Sequence, residues 1–460
     1  MQTGILDYDG KKCVYKLTDF ILEIEEIENR DKIFIEDLDK ILGVQSLSKE
    51  HILLKGKDFE SGSNILFKVR SLNQTGFKTY RAKIISYIIF DNEDTTYDGI
   101  QITSDELNWF HNVGESYSST WDFNTGESEL KLKSYESTAK EFYFNLSSFQ
   151  KIKGTLNISR KYSQISTMPL RLQTEMSLYF QETNDLDMAE QLVFITKRFL
   201  NFITYRKNTT INQIILKKRN PETDKYRRIG TVFINGIDNN SVEPEKLVKE
   251  RLIDIKLLGD QIGELFNKIN EDQIYLTHIP ENSKEWNIIT ASRFIMITAG
   301  FEWQFRSTYN EKSNENEEKN KEHEEEIFTF LDEKIEQYTG KKKKYFKDIK
   351  KLIQRSNMTL LDKISWALNK FDDVLKDFIN SIYSLNDIQE NKYKDISERI
   401  QTQRNNIAHG NIDKEFNPIV ILDLSVLEWL YYAMVLNDIG VPREDIKRSI
   451  NRLFKRGFAL

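Results

Sequence analysis

The stretch YKDISERIQTQRNNIAHG (residues 393–410), followed shortly by IVILDLSVLEWLYYAMVL (residues 419–436), sets the class of the C-terminal half. In the first stretch Tyr393, Ile396, Ile400 and Ile407 recur at helical spacing, and Gly410 suits the position just past a helix end. The second stretch is apolar almost all round. A helix without a polar face is buried on every side, at the centre of a bundle or in a subunit interface. Four residues beyond Ile400 comes Arg404, an always-charged guanidinium in a slot where the stripe calls for an apolar side chain. Such a placement is costly unless the charge meets an anion or a partner. Asn405 and Asn406 are poor helix formers, and His409 closes the helix where its dipole favours a protonated imidazole. The plain reading is a helix end carrying a surface Arg and His; the interrupted stripe favours a site.

Working upstream, helical periodicity predicts helices over Pro244–Lys268, Ile289–Phe305 and Thr359–Leu385, the last opened by a cap-like Thr359-x-x-Asp362. A final helix is predicted over Pro442–Lys455, with proline at a permitted first-turn position. Asn310–Glu326 is rich in Glu, Lys and Asn and has nothing to bury, so it reads as a solvated insert or frayed helix extension. The lysine run Lys341, Lys342, Lys343 and Lys344 follows. By default it is a solvated charge run; alternatively it guides a nucleic-acid backbone.

The N-terminal half reads differently. Ile65–Val69, Thr79–Phe90, Ser128–Lys133, Glu141–Leu146 and Gly154–Ser159 are short runs of β-branched and aromatic residues separated by turn clusters. Strands without long helices between them predict an antiparallel sheet or sandwich. One helix is expected over Asp185–Tyr205, then strands over Ile211–Leu216 and Gly230–Asn235. The expected fold is α+β and multidomain: a β-rich, sandwich-like domain over 1–240, bridging helices over 241–284, and an all-α helical domain over 285–460 with a charged insert at 310–345.

Composition excludes several classes. The 460 residues are 39% hydrophobic and 12% aromatic, enough for packed cores. A formal charge of −6 rules out a uniformly basic nucleic-acid coat, though not local patches. One cysteine, Cys13, rules out a disulfide framework and Cys-based metal sites within one chain. No two of the five histidines lie within a helical turn of each other, so no zincin-type pair exists. Neither a signal peptide nor an apolar run of membrane-spanning length is evident. The expectation is a cytoplasmic protein with no membrane partner, no metal and no cofactor.

The string Arg404-Asn405-Asn406-Ile407-Ala408-His409-Gly410 resembles the Arg, four to six residues, His signature of the HEPN superfamily. Within it, the string and the following Val426-Leu427-Glu428-Trp429-Leu430 resemble ApeA-like HEPN proteins of bacterial abortive-infection defence, over roughly 170 C-terminal residues. Glu106-Leu107-Asn108-Trp109 is similar to an element of their β-rich N-terminal domains. The resemblance implies a HEPN helical bundle and a metal-independent endoribonuclease. RNA brings its own 2′-OH nucleophile. His409 would move the proton, Arg404 would hold the scissile phosphate, and Asn405 would orient a phosphate oxygen or the arginine. Products would be a 2′,3′-cyclic phosphate and a 5′-OH. Glu302 matches a position where the family often carries a supporting acid. The implied partners are an RNA substrate, possibly a tRNA, a second copy of the chain pairing through the HEPN domain, and a phage-derived trigger acting on the N-terminal domain. A non-catalytic HEPN scaffold, or the toxin of a toxin–antitoxin pair, would also carry this string.

Overall fold

The computed structural model describes the chain apart from residues 28–51, 77, 92, 148–149, 166, 168, 238–242, 355–357, 389–392, 411–416 and 460, and apart from the side chains of 310–326, 328, 341, 348 and 350–354. The chain is α+β, strand-rich first and helical after. It divides into two compact units: residues 1–201, 208–244 and 262–267, then residues 202–207, 245–261 and 268–460. The expected boundary near 240 lies outside the described residues.

Among the described residues the first unit is built on one twelve-stranded antiparallel sheet. Its strands are β1 (Gln2–Tyr8), β2 (Lys11–Thr18), β3 (Ile21–Glu26), β4 (Ile52–Asp58), β5 (Asn64–Gly76), β6 (Thr79–Phe90) and β7 (Tyr97–Thr103). Beyond a separate hairpin of β8 (Tyr117–Trp121) and β9 (Ser128–Leu132) come β10 (Lys140–Ser147), β11 (Gln150–Tyr162), β12 (Leu170–Thr183), β13 (Gln213–Arg219) and β14 (Tyr226–Ile234). The order is β10-β11-β12-β7-β13-β14-β6-β3-β2-β1-β4-β5, and β5 pairs back onto β6. The expected sandwich is therefore corrected: one end of a single sheet closes into a six-stranded barrel.

Strand β6 makes this possible. Its first half, Thr79–Lys83, bonds to β3 inside the barrel, while Ser86–Phe90 bonds to β14 and carries the sheet outward. Register shifts along β5 at Lys68–Ser71 and Gln74–Gly76 supply the bend, as bulges do in curved sheets. The alternation of β2, with Cys13, Tyr15 and Leu17 buried and their neighbours exposed, sends one face into the barrel core beside Leu22, Phe67 and Ile84. Cys13 is thus a core residue. Gly4 is obligatory here, since a Cβ would stand 2.1 Å from the Lys57 carbonyl oxygen.

Short helix α1 (Asp105–Phe110) and long helix α2 (Leu186–Thr204) belong to the strand-rich half. The Pro244–Lys268 helix is broken into α3 (Glu245–Val248), α4 (Ile255–Leu258), a 3₁₀ turn and α5 (Ile262–Asn270). Then come α6 (Ala291–Gln337), α7 (Gly340–Gln354), α8 (Leu360–Lys370), α9 (Asp372–Ser384), α10 (Tyr393–Ala408), α11 (Pro418–Asp438) and α12 (Arg443–Leu453).

Three further helical segments refine the expectations. The predicted Thr359–Leu385 helix splits at Phe371, whose φ of −108° and ψ of 22° leave the helical region. Its start holds: Thr359 and Asp362 form a capping box. Residues 310–326 continue α6 as helix beyond a non-helical Tyr309, which matches the helix-extension reading of this stretch; their side chains lie outside the described residues. Helix α11 is long and apolar enough to cross a membrane by length and composition, yet it is mostly buried inside the protein. Nearly every side chain from Val426 to Leu436 is covered within one chain. The helix is therefore central to its unit, one of the two places its apolar pattern allowed, and Ile421 near its start stays exposed.

Candidate active site

Helix α10 positions the motif. Ile396 and Ile400 are fully buried, and Ser397 accepts a hydrogen bond from Ser365 on α8 at 2.9 Å. Gln401 Oε1 accepts from the backbone N–H of Leu361 at 2.9 Å, satisfying a free donor at the start of α8. The helix stops as predicted: Gly410 takes φ +73°, and its N–H donates to the Ile407 carbonyl at 3.1 Å. A side chain there would be strained.

The reading of Arg404 as an interruption of a buried stripe is corrected. The stripe runs Ile396, Ile400, Gln403, Ile407; Gln403 is buried and Arg404 is exposed. Gln403 and Arg404 flank the line through the isoleucines, about 40° to one side and 60° to the other at 100° per residue, and packing covers the Gln403 flank. Arg404 Nη1 donates to Asn405 Oδ1 at 3.4 Å. His409 is exposed, and its backbone N–H donates to the Asn405 carbonyl at 3.0 Å. The structure thus brings Arg404 and Asn405 together and sets His409 at the same helix end. Among the described residues, no carboxylate pairs with Arg404 and no hydrogen bond joins it to the His409 ring.

The arginine that is held by the core is Arg399. Its Nε and Nη2 each donate at 2.7 Å to the carboxylate of Asp423 on α11, and Tyr383 OH donates to the same group. Asp423 is completely buried. Burial pushes its carboxyl above the usual range, while the Arg399 and Tyr383 donations pull it back. The second acid of α11, Glu428, follows the same pattern: Arg293 Nη2 donates to it at 3.1 Å, and Tyr205 OH donates as well. Neither pair was anticipated. The available signal was two carboxylates inside the apolar run of α11, each of which needs a cation if it is charged.

Glu302 lies on α6, engaged by Lys363 Nζ at 3.0 Å and by Arg306 at 2.6 Å. Burial acts to raise its carboxyl, but the two cations outweigh it and hold the group below the usual range. No hydrogen bond joins it to Arg404 among the described residues. The lysine run opens α7: Lys342 lies 5.3 Å from the Tyr338 ring centroid, Lys344 is exposed, and the Lys341 side chain is outside the described residues. Lys343 is half-buried. In the strand-rich unit, Glu106 of α1 is buried and accepts from Ser104, and from the backbone and hydroxyl of Thr210. Asn108 accepts from the β12 backbone at Thr174. Both hold α1 in place rather than presenting a reactive group. Among the described residues no cluster of three or more His, Cys, Asp or Glu could hold a metal ion.

Chemically, the end of α10 offers an exposed guanidinium, an amide and an imidazole within six residues, suited to binding a phosphodiester and moving one proton. No family model matches the chain, and no curated protein or solved structure is significantly similar to it.

Proposed function

We propose that the chain is an endoribonuclease of the HEPN type, cleaving RNA without a metal. Within that class, we infer an ApeA-like effector of anti-phage abortive infection, with the strand-rich unit as its sensor of a phage-derived trigger. One contrast carries the reading. Of the two arginines on α10, Arg399 is consumed by Asp423, whereas Arg404 stands exposed beside Asn405 and His409 with no carboxylate partner among the described residues. A guanidinium kept out of ion pairs suits a phosphate.

In this mechanism the substrate 2′-OH attacks the adjacent phosphorus and the 5′-oxygen leaves, giving a 2′,3′-cyclic phosphate and a 5′-OH. Arg404 binds the nonbridging oxygens as negative charge builds, and Asn405 orients them. His409 takes the 2′-OH proton or protonates the leaving oxygen. One imidazole serves one of these roles, so a homodimer with two motif ends at one cleft would supply both. Residues Val426–Leu436 of α11 are covered within their own chain, so the pairing surface would draw on other residues of the helical unit.

The deciding experiment incubates the purified chain with total tRNA and with mRNA, with and without EDTA, and determines the product ends. Cyclic-phosphate ends formed in EDTA support the proposal; cleavage strictly dependent on Mg²⁺ overturns it.

A further inference from the structure

In the strand-rich unit an open groove of about 490 Å³ is lined by residues of β11, β12, β13 and β14. Among the described residues three cations line it, Lys161, Arg171 and Arg228, and no carboxylate does. Lys161 and Arg171 are directly opposite each other in the β11–β12 ladder. Cross-strand partners share a face with their Cβ atoms about 5 Å apart, and like charges in that position are destabilising.

The same sheet shows how such a pair is settled. Lys218 and Arg227 are also directly opposite, but Glu182 lies 2.9 Å from Lys218, and Asp94 pairs with both cations. Among the described residues neither Lys161 nor Arg171 forms an ion pair. Arg228 is held by Asp91 at 2.8 Å. Of the nearby acids, Asp105 accepts from Asn212 at 2.9 Å, and Glu175 lies near enough to Lys217 to favour its charged form. An oxyanion would relieve the uncompensated pair at the groove's end.

The remainder of the lining is not that of a bare anion site. It includes the amides of Gln173 and Gln213 and the ring of Phe233, which stacks on Tyr87 at a centroid distance of 4.7 Å. Its volume falls in the range of about 300–1,000 Å³ typical of small-molecule sites. We propose that this groove binds a nucleotide, with a phosphate between Lys161 and Arg171 and the base among Gln173, Gln213 and Phe233. The site is independent of the Arg404–His409 reading.

The test is calorimetric titration of the full chain with AMP, ATP, adenosine and inorganic phosphate. A nucleotide should bind at least tenfold more tightly than adenosine or phosphate. The double variant Lys161→Gln/Arg171→Gln should weaken nucleotide binding tenfold or more. Its ligand-free unfolding temperature should be no lower than that of the unmodified chain, because the repulsion is gone. The charge-preserving Lys161→Arg should keep binding. Three results would each overturn the proposal: no nucleotide binding at millimolar concentration, phosphate binding as tight as the nucleotides, or binding unchanged in the double variant. Since binding is the readout, RNA cleavage can fail while this site stands, and the reverse.

Discussion

Two positions along helix α10 use the same side chain in opposite ways. Toward its middle, Arg399 is locked to a completely buried aspartate by two hydrogen bonds and shares that partner with Tyr383. One and a half turns later Arg404 is exposed beside an asparagine, and the helix closes at His409. A buried guanidinium with a carboxylate cannot also bind substrate, because withdrawing it leaves a bare charge in the core. An exposed one adds little stability and remains available for an anion. The difference separates structure from chemistry along a single helix.

The sharpest way to break this comparison is through activity. Arg404→Ala and His409→Ala should each lower RNA cleavage by about 10²–10⁴-fold, with an unfolding temperature within a degree or two of the unmodified chain. Full activity in either variant would remove the motif from the mechanism. The opposite profile is expected at Arg399. Arg399→Ala should cost about 3–5 kcal/mol by stranding the Asp423 carboxylate, read from urea unfolding. Combining it with Asp423→Leu should recover most of that loss. An Arg399→Ala protein as stable as the unmodified chain would show that the ion pair is not what holds α10.

A third test uses pH on the same helical unit. His278 is buried among Tyr205, Tyr275 and Tyr431. Burial first, then the charges of Arg293 and Lys207, lower its imidazole to about 3. The unfolded chain, with an ordinary value of about 6.5, therefore binds this proton more readily than the folded one. The contribution to stability is complete above about pH 6.5 and is lost progressively as pH falls toward 3. His278→Phe should flatten that part of the stability–pH curve; an unchanged slope would mean other groups dominate it. The smallest effect is expected at the helix end, where Gly410→Ala forces a side chain into a positive φ and should cost about 1 kcal/mol, measured by thermal unfolding.

Much of the fold was legible because local patterns agree with it. Thr79–Phe90 was read as a strand and is β6 with the same bounds; Asp185–Tyr205 contains α2, Leu186–Thr204. Strands β1 to β4, β7, β8 and β12 were not read; in β2 and β3 the exposed face carries Lys and Glu, which weakens the apolar signal. The candidate site was legible as a string, but its environment was not. Spacing by four and spacing by three from Ile400 are both helical, so residue periodicity admits Arg404 and Gln403 equally.

By itself the sequence determined the strand-rich and helical halves, the end of α10 at Gly410 and the burial of an α11 that has no polar face. Each follows from short-range pattern: alternation, helical period, a glycine free to take positive φ. Only the tertiary structure decided that β5 returns to β6 and closes a barrel, that Asp423 and Glu428 draw Arg399 and Arg293 into the core, and that Arg404 faces outward. Those outcomes depend on which distant segment covers which flank, and on where a buried carboxylate finds a cation, neither of which is encoded in the spacing of neighbours along the chain.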